Sequence, residues 1–464
     1  MGVRCGAVDR SRVTSGAGRA APGARVTGRH RVVVVGAGFG GLAVVKGLRE
    51  TPVDVVLVDA NNFHTFQPLL YQVATAGLDD DNVAYAVRGI FRRQRNVAVR
   101  MARVTDIDLA ERRLRVDHGA EITYDTLVLA AGAVSNDFGT PGVEEHGFPL
   151  KSLDHALDLR AHLLDRFEHA AARHELVDDG VLDVVICGGG PTGVEMAGGL
   201  MELYERVLGP DFPNLPVQRA RVLLVEMGAR LLPGFSEQSA ARAASTLTAR
   251  GVEIRCGVGV TAVEPTRVHL SDGSVVAAHT LVWAAGVRAN PLAAALGAEL
   301  DRGGRVVVDD DLSVPGHPEV FAIGDIAAAR DPDGALLPQV AQPALQAGRH
   351  VARQIHGRVI AAAGGASEPE PFRYVDKGSM ATIGRNEAVA EFPNGRRLAG
   401  FVGWLAWLGL HLVYLMGFRN RANVFVNWAW NYLTYDHGSR ILAEWDRSDV
   451  AAHRPRRRRY QLSE

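Results

Sequence analysis

Cysteine is scarce in this sequence. The 464 residues include three cysteines, Cys5, Cys187 and Cys256, and no two of them have the CxxC or CxxxxC spacing of a dithiol centre. Such widely separated cysteines exclude a disulfide framework, a zinc ribbon and a dithiol redox centre, and we expect no metal site. Cys187 and Cys256 fall in predicted strands, which is typical of buried, unreactive thiols.

An excess of charge of either sign is also absent. The chain has 51 basic and 52 acidic residues, which gives a formal net charge of -1. A nucleic-acid-binding surface needs a clear basic excess, so we expect no nucleic-acid partner. The hydrophobic content of 47% is ordinary for a globular protein. The length suits roughly three domains, or two domains with an appendage.

The first 29 residues lack any apolar periodicity. They are rich in Ala, Gly, Arg and Ser, and they contain no apolar run of the length that a secretory signal requires. We therefore interpret residues 1–29 as a disordered extension, or as the result of a misplaced start codon. Because no export signal is recognised, we expect the body of the protein to stay in the cytoplasm.

An internal repeat organises the middle of the chain. The run VVVVGAGFGG at 32–41 is matched by VVICGGGPTG at 184–193, and each is a β-branched run followed by GxGxxG glycines. Each motif has a downstream partner, LVLAAG at 127–132 and LVWAAG at 281–286. The first glycine precedes that partner by 91 residues (36 to 127) in one copy and by 93 (188 to 281) in the other. Two copies with matched partners predict two dinucleotide-binding domains.

Each copy has the chemistry that a dinucleotide requires. An apolar strand leads into glycines that let the backbone approach a pyrophosphate, and the following helix directs its N-terminus at the phosphates. An acid at the end of the next strand would bond the ribose hydroxyls. Asp59 lies 23 residues after Gly36, and Glu226 lies 38 residues after Gly188. The longer second spacing fits a longer helix and a proline-rich loop.

A further group of signals follows the second copy. The run VFAIGD at 320–325 predicts a short strand that ends in Gly–Asp, and Pro343 suits the first turn of a helix. Gln342 and Gln346 are four residues apart and would share a face of that helix. From the spacing alone, this pair is more typical of a polar helix face than of a binding site.

Taken together, these features resemble the two-dinucleotide-binding flavoprotein superfamily. More narrowly, the sequence is similar to type II NADH dehydrogenases, which are single-subunit NADH:quinone oxidoreductases that do not pump protons. The resemblance covers roughly residues 30–445. It is most specific in FQPLLYQVA at 66–74, in AQPALQ at 341–346 and in the aromatic C-terminal region.

The resemblance implies the architecture of the chain. We expect an α/β fold with two Rossmann-like domains, the second inserted in the first, and a C-terminal membrane-associated helical region. The predicted parts are an FAD-binding domain in two pieces (30–150 and 301–397), an NADH-binding domain (151–300), a membrane-anchoring region (398–445) and a basic tail (446–464).

The resemblance also implies the residues that hold the two nucleotides. FAD would be bound by Gly36, Ala37, Gly38, Phe39, Gly40, Gly41, Asp59, Gly132, Asp325 and Gln342. NADH would be bound by Gly188, Gly190, Gly193, Glu226 and Gly286. A carboxylate at Glu226 would repel a 2′-phosphate and so favours NADH over NADPH, although Arg230 lies close to it in sequence.

Three residues are implied for quinone reduction: Glu195, Gln342 and Gln346. The family resemblance places the two glutamines beside the flavin ring where the quinone binds, and it assigns Glu195 to proton or quinone handling. From the residues alone, Thr192-x-x-Glu195 has the form of a capping box, which is compatible with either role. His64 could donate a proton, but a packed loop histidine is the simpler interpretation.

Charged residues are missing from residues 398–418, a run of 21 that is long enough to span a bilayer. Glycines and His411 interrupt this run, and the second stretch, 424–435, is too short to span but has Phe425, Trp428 and Tyr432 at helical spacing. Two helices lying on the membrane therefore fit better than a single span at 398–418 or a soluble dimer interface. The terminal arginines, from Arg454 to Arg459, would contact anionic lipid.

Other oxidoreductase classes explain the sequence less well. Disulfide reductases need a cysteine pair after the first motif, but residues 42–90 contain no cysteine. Sulfide:quinone reductases also need reactive cysteines, and a ferredoxin-type NAD reductase leaves the aromatic C-terminal region unexplained. A flavin-bound membrane redox sensor is the alternative from another class. The favoured hypothesis is an enzyme at the cytoplasmic face of the membrane that oxidises NADH through FAD and reduces a membrane quinone, either as a monomer or as a homodimer.

Overall fold

The computed structural model describes residues 28–362, 364, 370–434 and 438–442. Most of the predicted N-terminal extension, 1–29, lies outside the described residues. The predicted basic tail, 446–464, lies outside them entirely.

The first domain is built on a six-stranded sheet whose central strand, His30–Val35, is buried along nearly its whole length. Strands buried on both faces are expected to be apolar, and the four residues Val32–Val35 of this strand are. The spatial order of the strands is Ser313–Val314, His317–Ala322, Thr126–Leu129, His30–Val35, Val53–Asp59 and Val97–Met101. The edge strand Ser313–Val314 is antiparallel to its neighbour, and the other pairs are parallel.

Two helices cover one face of this sheet, Phe39–Gly47 and Ala341–Ala362. They cross at Gly40 and Gly348, where a Cβ on Gly348 would overlap the carbonyl oxygen of Gly40. The crossing therefore depends on a glycine that permits close backbone approach. An antiparallel three-stranded sheet completes this domain, with strands Val104–Asp108, Arg113–Val116 and Glu121–Thr123.

The second domain repeats this plan on a five-stranded parallel sheet. Its strands lie in the order Gly147–Pro149, Thr280–Trp283, Val184–Cys187, Val222–Glu226 and Glu253–Cys256. Its helices are Leu153–Ala172, Pro191–Glu202 and Glu237–Ala249, and its antiparallel sheet consists of Val260–Glu264, Arg267–Leu270 and Val275–Ala277. The hydroxyl of Ser152 caps the longest of these helices by accepting from the backbone N–H of His155, 3.2 Å away.

Shorter elements connect these layers. A two-stranded ribbon pairs Phe63–Thr65 with Ala84–Ala86. Short α-helices occur at Leu70–Ala74, Asp80–Val83, Val87–Ile90, Val143–His146, Gly209–Asp211 and Leu292–Ala295. Short 3-10 helices occur at Gln67–Leu69, His174–Val177, Val217–Arg219 and Gly324–Ile326. A π-helix occurs at Leu203–Leu208.

The chain passes between the two domains twice, and the two crossing segments, Ala133–Ser135 and Val287–Ala289, pair as antiparallel strands. The second domain is thus inserted in the first, which confirms the predicted fold class. Both crossings lie upstream of the predicted divisions at 150/151 and 300/301. The reason is that Gly147–Pro149 already belongs to the second sheet, whereas Ala293 packs in the core of the first domain.

The C-terminal region packs a small sheet and two helices against both domains. The strands are Ser379–Gly384, Glu387–Glu391 and Arg397–Ala399, and the helices are Gly400–Tyr414 and Phe418–Thr434. The uncharged run 398–418 is therefore not one helix, because the chain turns at Gly417, which has φ of +83°. Among the described residues, none of the helices combines the length and apolarity needed to cross a membrane.

The aromatic residues of these helices divide between the core and the surface. Trp407 is 1% exposed, and the indole N–H of Trp428 donates to Oε1 of Gln72 at 2.8 Å, whereas Trp430 is 56% exposed. The predicted common apolar face of Phe425, Trp428 and Tyr432 is thus wrong for Trp428, which faces inward. Large hydrophobic side chains remain exposed on both helices: Phe401, Val402, Leu405, Leu410, Val413, Phe418, Phe425, Val426, Trp430, Tyr432 and Leu433.

Candidate functional site

The first glycine turn leaves an open space in front of a helix N-terminus. Gly36 has φ of +105°, and a Cβ there would overlap the carbonyl oxygen of Ala130, while a Cβ on Gly41 would overlap that of Gly36. Gly38, by contrast, has no atom within 4 Å of its would-be Cβ, and the helix Phe39–Gly47 begins directly after it. Two glycines are needed to form the turn, and the third leaves room for a phosphate at the helix end.

The second glycine turn has the same geometry. Gly188 has φ of +110°, and its Cβ would lie 2.6 Å from the carbonyl oxygen of Ala284. A Cβ on Gly193 would overlap the carbonyl oxygen of Gly188, and Gly190 again faces open space. The helix Pro191–Glu202 begins directly after Gly190. The internal repeat in the sequence therefore corresponds to a repeated three-dimensional cradle.

The two predicted ribose acids occupy matching positions. Asp59 accepts the backbone N–H of Ala37 at 2.6 Å, and Glu226 accepts that of Gly189 at 2.6 Å. The longer sequence spacing of Glu226 thus leads to the same place beside the glycine turn. Burial raises the pKa of Asp59, against the lowering effect of its backbone hydrogen bonds. Each carboxylate oxygen can accept more than one hydrogen bond, so both groups can still reach a ligand hydroxyl.

The remaining glycines serve different purposes. A Cβ on Gly40 would lie 3.1 Å from the side chain of Ile323. The absence of a side chain at Gly40 therefore lets the helix pack closely on the sheet. Gly132 and Gly286 have φ of +71° and +154° and stand directly before the two interdomain crossings. Their left-handed backbone turns the chain out of each sheet, and Gly132 has open space beside it.

A cleft of about 510 Å³ lies where the two domains and the C-terminal region meet. Phe39 and Gln342 from the first domain line it, together with Thr192 and Glu195 from the second and His411 from the C-terminal region. Both glycine-turn helices therefore begin at this cleft. Groups bound in the two cradles would meet in a common space that is walled by apolar side chains.

Glu195 is 9% exposed and lines this cleft. Burial raises the pKa of its carboxyl to about 8, although the backbone N–H of Thr382, which donates at 3.4 Å, favours the charged form. The indole of Trp407 lies near the same carboxyl but makes no hydrogen bond of ordinary geometry. At neutral pH the carboxyl is therefore mostly protonated and can donate. The predicted capping box is wrong, because the helix is capped at Gly190 without a side-chain bond.

The two predicted glutamines are separated in the structure. Gln342 lines the cleft, whereas Gln346 lies outside it. The side chain of Gln346 donates to the carbonyl oxygen of Val375 at 2.9 Å and accepts the Val375 N–H at 3.0 Å. Residues four apart share a helix face only approximately, and here the backbone near Val375 occupies the space beside the second glutamine.

Asp325 is joined to a residue that the sequence did not indicate. The ammonium group of Lys151 lies 3.1 Å from Oδ2 of Asp325, and Lys151 also lines the cleft. Gln339 donates its side-chain amide to the carbonyl oxygen of Asp325 at 2.8 Å. The pairing spans 174 residues of sequence, so no local spacing could have found it. Lysine occurs in this sequence only at positions 46, 151 and 377, and this scarcity was the one available signal.

His411 is a second residue that sequence reasoning did not place. Its ring stacks on Trp407 with centroids 4.0 Å apart, and Nδ1 donates to the carbonyl oxygen of Trp407 at 2.7 Å. Burial lowers its pKa to about 4, so the imidazole is neutral, with the proton on Nδ1 and Nε2 free to accept. A single polar residue within an uncharged apolar run could have served as a signal.

His64, Cys187 and Cys256 do not line the cleft. His64 is a packed residue whose Nδ1 donates to the carbonyl oxygen of Ala37 at 2.8 Å. Burial raises the pKa of the Cys187 thiol to about 12, as expected for an inert thiol. Cys256 is exposed, so the predicted burial of this second cysteine is wrong. In the part of the chain that the structure describes, no three His, Cys, Asp or Glu side chains are grouped to hold a metal ion.

Two dinucleotide cradles that open on one cleft define the class of protein as a two-domain pyridine-nucleotide oxidoreductase. Residues 30–348 match the family model described as pyridine nucleotide-disulphide oxidoreductase, and residues 377–435 match the NDH2 C-terminal domain. The chain is 40% identical to the type II NADH:quinone oxidoreductase Ndh of Mycobacterium tuberculosis, covering 91% of this chain and 92% of that one. It is 38% identical to NdhA of the same organism, over 90% of each chain. The chain belongs to the type II NADH:quinone oxidoreductase family.

The fold agrees with this assignment. A solved structure of NDH2 from Plasmodium falciparum in complex with NADH superimposes with a TM-score of 0.79 at 19% sequence identity. The likeness covers 89% of this chain and 99% of that one. The separate match of residues 377–435 to the NDH2 C-terminal domain covers most of the aromatic C-terminal region, which a ferredoxin-type reductase left unexplained.

Proposed function

We propose that this protein oxidises NADH and reduces a membrane quinone, with FAD as its resident cofactor. The observation that carries this proposal is that both dinucleotide cradles and the C-terminal region open on the same cleft. A donor and an acceptor of electrons can therefore both reach one cofactor. The electron transfer would proceed without proton pumping, as the family resemblance implies.

The first cradle fits FAD. Gly38 leaves space for a pyrophosphate at the helix N-terminus, and Asp59 lies where the adenosine ribose would follow. When bound, FAD supplies the two-electron transfer chemistry, and the protein orients it and shields it from water. The residues that would hold it are Gly36, Ala37, Gly38, Phe39, Gly40, Gly41, Asp59, Gly132, Asp325 and Gln342.

The second cradle fits NADH. Gly188, Gly190 and Gly193 would face the pyrophosphate, Gly286 would line the approach to the cleft, and Glu226 would accept the ribose hydroxyls. The negative charge of Glu226 disfavours a 2′-phosphate, which supports a preference for NADH. Arg230, the cation that could oppose this preference, donates to the carbonyl oxygen of Pro233 at 3.4 Å.

The cleft supplies the groups for quinone reduction. Reduction of a quinone needs two protons, and the protonated Glu195 carboxyl is placed to donate one of them. Gln342 would orient the quinone head group with its side-chain amide. Gln346 would act at one remove, because it holds the backbone at Val375. His411 offers an acceptor nitrogen for a hydroxyl of the product.

The exposed apolar side chains of the two C-terminal helices support attachment to a membrane. A helix pair with an apolar outer face lies in the interface between headgroups and acyl chains. We propose this arrangement at the cytoplasmic face of the membrane, assisted by the arginine tail. A homodimer formed through part of the same apolar surface is compatible with it.

One purification and one assay test this function. We expect a yellow protein that releases FAD on denaturation and oxidises NADH rapidly only when a short-chain quinone is present. A flavin-bound redox sensor would take up one equivalent of NADH and then stop, with or without quinone. Turnover that requires ferredoxin instead of quinone would favour the reductase alternative. A colourless, folded protein that cannot be reconstituted with FAD would refute the proposal.

A further inference from the structure

Three basic side chains meet at the turn between the two C-terminal helices. We call Lys46, Arg349 and Arg421 the basic cluster. The ammonium group of Lys46 lies 3.2 Å from the sulfur of Met416, which belongs to that turn. Partial loss of hydration lowers the pKa of Lys46, and the nearby charges of Arg421 and then Arg349 lower it further. Three cations from three separate helices are therefore near enough to one another to interact electrostatically.

The Arg421 side chain is held in place at this turn. Its guanidinium donates to the carbonyl oxygens of Leu415 at 2.8 Å and of Val413 at 2.6 Å. These carbonyls belong to the C-terminal end of the helix Gly400–Tyr414 and the residue after it, where a positive charge is favoured. Arg421 is thus positioned by the helix end and cannot easily move away from Lys46.

No member of the basic cluster has a carboxylate within ion-pair distance among the residues that the structure describes. Other arginines of this protein do have such partners, for example Arg305 with Asp301 at 2.9 Å and Arg358 with Asp311 at 3.0 Å. Like charges held close together repel one another, and an anion bound between them would relieve that repulsion.

A neighbouring hollow extends the positive surface. It has a volume of about 230 Å³ and is lined by Arg349, Arg353 and Arg373, with Glu370 as its one acidic side chain. Even with Glu370 counted, the hollow carries an excess of positive charge. Arg349 lines this hollow and also belongs to the basic cluster, so the two form one continuous surface.

Exposed apolar side chains flank the basic cluster. Val413 and Phe418, on either side of Met416, are 65% and 87% exposed. Phe418 is the most exposed of the large hydrophobic residues described. Apolar groups beside cations are the pattern of a surface that enters the acyl region of a bilayer and contacts phosphates just above it. A soluble phosphate or a nucleic acid would give no reason for the apolar groups.

We propose that the basic cluster binds the phosphate groups of anionic phospholipids when Val413 and Phe418 enter the bilayer. This inference rests on the proposed membrane attachment and deepens it. It assigns to Lys46 and Arg349, two residues of the nucleotide-binding part of the chain, a role in holding the catalytic domains against the membrane surface.

The test compares two variants with the same change of net charge. Lys46→Gln/Arg349→Gln removes two charges of the cluster and spares Arg421, which stabilises the helix end. The control variant is Arg267→Gln/Arg302→Gln. It also removes two exposed charges, one from the antiparallel sheet of the second domain and one from the loop before Val306. Full-length, FAD-loaded proteins are sedimented with vesicles of phosphatidylcholine, alone or mixed with phosphatidylglycerol.

The cluster variant should bind the phosphatidylglycerol vesicles about 30-fold more weakly than the wild type, which is ~2 kcal/mol at ~1.4 kcal/mol per factor of ten. Its binding to pure phosphatidylcholine should not change. The control variant should lose much less affinity, because its charges lie away from the turn. Equal losses for the two variants, or no loss for the cluster variant, would overturn the inference.

Two further measurements separate the possible failures. Glycerol 3-phosphate added in solution should not displace the protein from vesicles, and displacement would indicate a site for soluble phosphates instead. Wild-type protein that binds neither kind of vesicle would refute the membrane attachment together with this inference. NADH oxidation with a short-chain quinone should be equal in all three proteins. A wild-type protein that does not oxidise NADH with the short-chain quinone would refute the proposed function, whatever the result of the vesicle-binding experiment.

Discussion

Replacing Glu195 by Gln gives the sharpest test of the proposed chemistry. Gln is close to Glu in shape, and its amide oxygen can still accept the N–H of Thr382, so the cleft should keep its structure. What the variant loses is an acid that can donate a proton. With a pKa of about 8, the wild-type carboxyl is about nine-tenths protonated at pH 7 and about one-tenth protonated at pH 9.

These fractions set the expected magnitudes. If Glu195 donates a proton during quinone reduction, the wild-type rate of that half-reaction should fall about tenfold between pH 7 and pH 9. A positioned general acid typically contributes a factor of about 100 or more. Glu195→Gln should therefore slow quinone reduction about 100-fold at pH 7 and remove most of the dependence on pH. Hydride transfer from NADH needs no acid and should be nearly unaffected.

Stopped-flow absorbance measures the two half-reactions separately. The enzyme is first mixed with NADH, and the NADH-reduced enzyme is then mixed with a short-chain quinone at a series of pH values. Glu205→Gln, a neutralised exposed position shortly after the same helix, controls for the loss of one charge. A wild-type rate of quinone reduction in Glu195→Gln, or an unchanged pH profile, would refute the role of Glu195. Slower reduction by NADH would place the residue on the other half-reaction.

Further predictions concern the nucleotides and the glutamines. Glu226→Gln should narrow the preference for NADH over NADPH in kcat/KM, and an unchanged ratio in a folded variant would remove Glu226 from that role. Gly41→Ala should lower the melting temperature even without FAD, because its Cβ would overlap backbone, whereas Gly38→Ala should fold and lose FAD affinity in a fluorescence titration. Gln342→Ala should slow quinone reduction while sparing reduction by NADH. Gln346→Ala should mainly lower the melting temperature. Slower quinone reduction in Gln346→Ala, together with a normal rate in Gln342→Ala, would contradict the position of Gln342 in the cleft and of Gln346 outside it.

The sequence predicted the dinucleotide cradles well because their constraints are local. A turn that needs φ near +105° at Gly36, and a helix that starts against the turn, both leave glycines at fixed spacing. The positions of Asp59 and Glu226 are also set locally, since a strand end places each of them beside its glycine turn. The longer spacing before Glu226 is taken up by the helical residues Leu203–Leu208 and Gly209–Asp211 and by the proline-containing loop that follows them.

The contacts that complete the cleft could not be read in the same way. Lys151 meets Asp325 across 174 residues, and Gln346 is drawn away from the cleft by backbone near Val375. Neither contact follows from periodicity, because each depends on how separate elements are packed. The interdomain crossings leave little trace in the sequence, since a chain that leaves one sheet for another needs no special residue beyond Gly132 or Gly286.

The C-terminal helices show why an aromatic, uncharged run was only partly interpretable. In the helix Gly400–Tyr414, Trp407 is part of the core and His411 lines the cleft, while Leu405 and Val413 are exposed on the other side. One helix thus forms both the wall of the reaction cleft and the proposed membrane surface. A long-tailed quinone could pass along this helix with its head group in the cleft and its tail in the bilayer. Deleting the helix would also expose the core around Trp407, so substitutions at Leu405 and Val413, rather than truncation, isolate the contribution of the membrane contact.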